Sequence, residues 1–207
     1  RRQRQMCIRD RNKEWQQAYD LSFDIVQGLG SSYDTGRFVA PGFVVDTWKL
    51  WEWLITTGVR LGNITRKVFP QNSISFGYKE TTSNRYIVNV FPDIEVMTEE
   101  NQMLPLYLVD AKYKLLKNSS TGEIERDDLY EAFAFCSATD TKEIVLVYPM
   151  DTPTEIPGEV KKCSTYYIKD VMVHVIQASF GSMREKGGIY TFARNITSGI
   201  ESVLLST

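Results

Sequence analysis

Two short apolar runs carry the residues of greatest chemical interest. Phe91-Pro92-Asp93-Ile94-Glu95-Val96 contains acids at its start and near its end, and Leu106-Tyr107-Leu108-Val109-Asp110-Ala111-Lys112 closes on an acid and a lysine two positions apart. Side chains alternate between faces along a strand, so Asp110 and Lys112 emerge together while Ala111 points the other way. A buried charge needs compensation, and a second carboxylate with a divalent cation would supply it. Asp93 stands 17 residues upstream of Asp110. The turn-like Thr98-Glu99-Glu100-Asn101-Gln102 lies between them, a length suited to two short strands in a hairpin. The acid-x-Lys triplet alone is common: Asp140-Thr141-Lys142 and Glu159-Val160-Lys161 repeat it, but beside expected helix or loop ends, where they read as solvated surface charge. For Asp110 and Lys112 the competing reading is a structural ion pair at a sheet edge.

The order Pro92-Asp93, spacer, Asp110-Ala111-Lys112 resembles the PD-(D/E)XK nuclease motif. Asp127-Asp128-Leu129-Tyr130-Glu131-Ala132-Phe133-Ala134-Phe135, followed by the run from Glu143 to Pro149, is similar to the helix and strand that follow the Asp-Ala-Lys-Tyr-Lys strand in the McrC family. Members of that family are nuclease subunits of McrBC-type, modification-dependent restriction systems. Upstream, Phe43 to Leu54 resembles the family's first nuclease-domain helix, which carries an acidic residue near the metal site; Glu52, among Trp48, Trp51 and Trp53, is open to two readings, that ligand or a surface acid on the helix flank. The resemblance covers roughly residues 43–149, about half the chain.

It implies an α/β, restriction-endonuclease-like core, a mixed central β-sheet flanked by α-helices. Asp93 and Asp110 would hold Mg²⁺, with Mn²⁺ as the alternative ion and Glu52 as a further ligand. Lys112 would act on the attacking water and on transition-state charge. The implied partners are double-stranded, methylated DNA and a GTP-hydrolysing AAA+ subunit. One departure stands out: the family's Gln-x-x-x-Tyr is replaced here by Glu131 and Phe135. Glu131 is open to two readings, an extra metal ligand or a helix-surface acid. Phe135 keeps the aromatic platform without its hydroxyl.

The rest of the composition narrows the alternatives. With 207 residues, 43% of them hydrophobic, the chain can bury a sizeable core. It shows no apolar run of the roughly 18 residues that a membrane span needs and no secretory pattern, so a cytoplasmic protein is expected. Cys7, Cys136 and Cys163 are isolated and lack metal-ligand spacing, which fits a reducing compartment. A single histidine, His174, in an apolar strand-like run, leaves little room for histidine-metal or histidine-paired nucleophile chemistry; it reads as structural. No Gly-x-x-x-x-Gly-Lys-Ser/Thr phosphate loop is present, so nucleotide-driven movement would need another subunit.

Residues 1–11 are similar to translated sequencing-adapter read-through and are expected to be a non-native tail; a basic arm touching DNA phosphates is the other reading. The tail holds five Arg and one Asp, and setting it aside takes the formal charge from −2 to −6. A body that acidic is a poor DNA binder by itself, because duplex affinity rests on Lys and Arg neutralising phosphates. A partner is therefore expected to deliver the DNA. Two rivals remain: a stand-alone restriction or repair nuclease, and a catalytically inactive nuclease-like interaction module.

The elements that must position these groups follow from periodicity. An N-terminal helix and connector is expected over 12–42, with Trp15, Ala18, Tyr19, Phe23 and Val26 at helical spacing, and the nuclease domain over 43–207. Val44, Trp48, Trp51, Ile55 and Val59 mark a second helix stopped near Gly58 to Gly62, in which Trp48, Trp51 and Trp53 read as core packing. Strands are expected at 72–78, 85–91, 94–96, 106–112, 144–148 and 171–177. A helix over 127–138, N-capped by Asp127 or Asp128, follows the lysine. Phe192, Ile196, Ile200 and Val203 predict a final amphipathic helix.

Overall fold

The computed structural model describes residues 46–98 and 104–205. The tail, the helix around Trp15 to Val26, the connector and most of the Thr98–Gln102 turn lie outside the described residues. Among the described residues, three helices, α1 (Thr47–Gly62), α2 (Arg126–Thr139) and α3 (Gly188–Leu205), accompany eight strands. These strands are β1 (Val68–Pro70), β2 (Ile74–Glu80), β3 (Arg85–Val90), β4 (Ile94–Met97), β5 (Pro105–Ala111), β6 (Glu143–Pro149), β7 (Val160–Ile168) and β8 (Val171–Ala178). Six of them form a mixed sheet in the order β1-β4-β5-β6-β8-β7. Its middle pairs, β5 with β6 and β6 with β8, are parallel, and its outer pairs are antiparallel. The fold is thus α/β with helices flanking a mixed sheet.

Each face of the sheet has its own core. On one, Val109, Val145, Val147 and Ile176 pack against Trp51, Ile55 and Val59 of α1 and Phe192, Ile196 and Ile200 of α3. On the other, Leu108, Leu146, Val173 and Val175 meet Ala132, Phe135 and Cys136 of α2. Each fully buried large aliphatic or aromatic side chain contributes about 1.5–3 kcal/mol, so these faces dominate stability. The glycines read as a stop for α1 serve its packing: a Cβ at Gly58 would come within 2.7 Å of Phe192, and one at Gly62 within 2.1 Å of Thr197. They let α1 and α3 approach closely on the shared face.

Four expectations need correction. β2 and β3 do not join the main sheet but pair with each other as a separate two-stranded sheet. β7 is an additional strand that the apolar pattern does not mark, because Lys161, Lys162, Ser164 and Thr165 interrupt it; the strand is an edge with a register shift between Lys162 and Ser164, where polar side chains discourage further pairing. Only Trp51 of the three tryptophans is core; Trp48 and Trp53 are 53% and 59% exposed, since the buried stripe of α1 runs Trp51, Ile55, Gly58, Val59. The cap of α2 is Glu125, without a side-chain cap bond, and Asp127 and Asp128 lie in the first turn.

Candidate active site

The β4–β5 hairpin decides where the acids meet. Ile94 pairs with Val109 in the antiparallel ladder, so Asp93, one step further, stands across from Asp110. The strand ends there: Asp93 Oδ2 accepts a hydrogen bond of 2.8 Å from the Ala111 N–H, fixing the first carboxylate against the second strand. Lys112 leaves β5 on the Asp110 side, and its Nζ lies 2.7 Å from Asp110 Oδ2 and 2.5 Å from Glu131 Oε2 on α2. Three of the residues singled out in the sequence, Asp93, Asp110 and Lys112, are therefore brought together. Glu131 joins them through the lysine, whereas Phe135, one helical turn on, is buried in the core.

Glu52 is held differently. Its carboxylate accepts a hydrogen bond from the Gln71 side chain, while the Gln71 backbone N–H donates to Asp93 O over 2.9 Å. Gln71 takes up a left-handed φ of 45° at the end of β1 to make both contacts. Glu52 thus sits close enough for its charge to be felt at Asp93. Among the described residues, however, no group of three His, Cys, Asp or Glu side chains is placed to hold a metal ion.

Electrostatics set the character of the pocket. Burial pushes Asp93 up to about 6, with Glu52 raising it further against the Ala111 N–H and Lys112. Burial pushes Asp110 up to about 7, with Lys112 opposing and Asp93 reinforcing the shift. For Lys112, burial works against the charge, but Asp110 and Glu131 overcome it and hold the ammonium above its ordinary range. Asp110 is buried, and its Oδ2 faces the Lys112 ammonium 2.7 Å away. Two crowded, largely buried carboxylates facing each other across the ladder suit a hard divalent cation. Mg²⁺ accepts one or two protein carboxylates and completes its shell with water and phosphate oxygens.

The sequence reading missed three residues beside this centre. Asp128 is buried; it accepts a 2.7 Å hydrogen bond from the Tyr148 hydroxyl and lies 2.9 Å from Lys114 Nζ. Burial raises the Tyr148 hydroxyl, and the charges of Asp128 and then Asp110 add to the shift. The signal for Asp128 was its spacing, since Asp128, Ala132 and Phe135 mark the inward stripe of α2; for Lys114 it was the two-residue step from Lys112. His174 is fully buried, its Nδ1 is 3.2 Å from Thr165 Oγ1, and burial lowers it to about 4. It is a structural histidine.

Known proteins share parts of this architecture. A family model described as "McrBC 5-methylcytosine restriction system component" matches residues 1–149. Among solved structures, a chain of the refined half-complex from a tetradecameric assembly of Thermococcus gammatolerans McrB AAA+ hexamers with bound McrC is similar at 18% identity and a TM-score of 0.52. The similarity covers 76% of this chain and 34% of the matched one, so the sequence spans about a third of that chain's length. No curated protein matches.

Proposed function

Because the chain belongs to the McrBC 5-methylcytosine restriction system component family, we propose that it is the nuclease part of such a system, with a restriction-endonuclease-like core that hydrolyses DNA phosphodiesters with Mg²⁺. The observation that carries this reading is the facing of Asp93 and Asp110 across the β4–β5 ladder with Lys112 2.7 Å from the second carboxylate. The site lies at the carboxyl end of parallel β5, where open α/β sheets commonly bind ligands.

Asp93 and Asp110 would hold the ion. Glu52 is a further ligand only if it exchanges its Gln71 contact. A bound Mg²⁺ would supply Lewis-acid activation of a water and neutralise charge on the scissile phosphate. Lys112, kept as an ammonium by two carboxylates, acts as a fixed cation that orients the nucleophile and stabilises charge on the pentavalent transition state. Glu131 locks the direction of that ammonium. The Asp110–Lys112–Glu131 chain also explains why a charged residue is tolerable where the family commonly has Gln: its charge is matched within the site.

If residues 1–11 are set aside, the remaining chain is acidic, which supports delivery of double-stranded, methylated DNA by a GTP-hydrolysing AAA+ subunit inside the cell; the similar solved structure is an assembly of McrB AAA+ hexamers with bound McrC. Among the described residues, no helix is long and apolar enough to cross a membrane. The decisive experiment is Mg²⁺-dependent cleavage of methylated against unmethylated duplex, with and without that partner. Cleavage that needs metal, methylation and the GTPase is expected. Cleavage by the chain alone points to a stand-alone nuclease, and absence of cleavage together with absence of any Mg²⁺- or Mn²⁺-induced thermal shift points to an inactive interaction module.

A further inference from the structure

Immediately after Lys112 in the chain, Tyr113, Lys114 and Leu115 join Pro149, Met150 and Phe180 in lining a cavity of about 280 Å³. Its walls are the segments that leave β5, β6 and β8 at their carboxyl ends, so it begins one residue beyond Lys112. Nothing in the proposed hydrolysis uses it. Its volume falls just under the roughly 300–1,000 Å³ of pockets that take drug-sized ligands, which leaves room for a single small planar ring system.

The lining is selective in its chemistry. Tyr113 and Phe180 are each nearly half exposed, so both present ring surface to the cavity and to solvent. Phe180 is not loose: it meets Trp51 edge to face at 6.2 Å, and the Trp51 indole N–H donates to Val147 O in β6. Lys114 provides the charge in this lining. It is tethered 2.9 Å from the buried Asp128, which the Tyr148 hydroxyl holds from the other side, yet the lysine side chain remains 44% exposed. The ammonium is thus aimed by a buried carboxylate and keeps N–H donors for an anion at the cavity mouth.

We infer that this cavity receives one nucleobase of the strand being cut, stacked against Tyr113 and Phe180, while Lys114 takes the phosphate of the same nucleotide. The inference rests on the nuclease reading and deepens it by assigning a base-holding site next to the scissile phosphate. Three features favour a nucleotide over a protein side chain as the occupant: the aromatic walls match a base face, the aimed Lys114 ammonium matches a phosphate, and the backbone from Lys112 to Lys114 joins the cavity to the hydrolytic centre. Lifting a base from the duplex costs its stacking and pairing, and stacking on the aromatic walls would offset that loss.

The test uses duplexes that the chain cuts, alone or with its GTP-hydrolysing partner, each carrying a single abasic residue at successive positions around the cut. For the parental chain, base removal at one position on the cleaved strand should lower kcat/KM about tenfold, the scale of stacking on an aromatic side chain. Removal of the opposing base should not lower it. Tyr113→Ala should lower cleavage of the intact duplex by a similar factor and become indifferent to base removal at that position; Phe180→Ala should behave alike, with melting curves confirming the fold. If Tyr113→Ala cuts the intact duplex at the parental rate, or if its effect multiplies with that of base removal, the base-holding role is wrong. Variants that alter only assembly with the partner would assign the cavity to a protein contact and equally overturn it. Failure of the parental chain to cut any duplex under any of these conditions would instead remove the nuclease reading beneath.

Discussion

The chain contains the same triplet chemistry in two settings, Asp110-Ala111-Lys112 at the end of β5 and Asp140-Thr141-Lys142 after α2. In the first, the aspartate and lysine side chains are 5% and 14% exposed, and the ion pair spans 2.7 Å. In the second, Asp140 is the left-handed cap of α2, 3.7 Å from Lys142, and Lys142 turns to Asp170 as well. Lysine has opposite success in the two places. At the surface, Lys142 lowers Asp170 below its ordinary range. In the site, burial raises Asp110 despite the adjacent Lys112. A carboxylate that remains hard to ionise even beside an ammonium still lacks positive charge, and that deficit makes the first triplet a metal-site candidate and the second a solvated network.

The comparison is most severely tested at its centre. Asp110→Asn and Lys112→Ala should each lower Mg²⁺-dependent cleavage by about 10²–10³-fold or more, with the circular dichroism spectrum retained. A variant that cuts at the parental rate would break the assignment. Next comes metal linkage: Mg²⁺ at a hundred times its dissociation constant should stabilise the protein by about 2.7 kcal/mol, read as a rise in melting temperature, and Asp93→Asn should remove that rise. Glu131→Gln should keep it, because Glu131 contacts Lys112 and not the carboxylate pair; loss of the rise in this variant would make Glu131 a ligand.

A smaller effect follows from the raised carboxyls. The folded pair holds protons that the unfolded chain releases near pH 4, so without metal the protein should lose stability as pH rises from about 4 to about 7. Asp110→Asn should flatten that slope. Metal ions compete with those protons, so apparent Mg²⁺ affinity and cleavage should both fall as pH drops from about 7 to about 6. Thermal melts across pH with and without Mg²⁺ measure both. At the small end, Lys142→Ala should leave cleavage and metal response unchanged; a loss there would show that the surface triplet contributes more than its exposure suggests.

The apolar runs and their alternation already determined, from sequence, that Asp110 and Lys112 share a face, that α1, α2 and α3 exist where they do, and that β5 is followed by a helix and a second buried strand. Those features depend on local periodicity, which a chain carries in its own spacing. β1 and β7 were not legible, because a three-residue strand has no period and a polar edge strand has no apolar face to betray it. The partners of the site were illegible for a different reason. That Glu131 clamps Lys112, that Gln71 holds Glu52 beside Asp93, and that Asp128 turns inward to Tyr148 and Lys114 are contacts between residues 14 to 20 positions apart in the chain. Sequence supplied the groups and the face they occupy; the register of β4 on β5 and the seating of α2 decided which charges meet, because proximity across strands is fixed by packing and not by order along the chain.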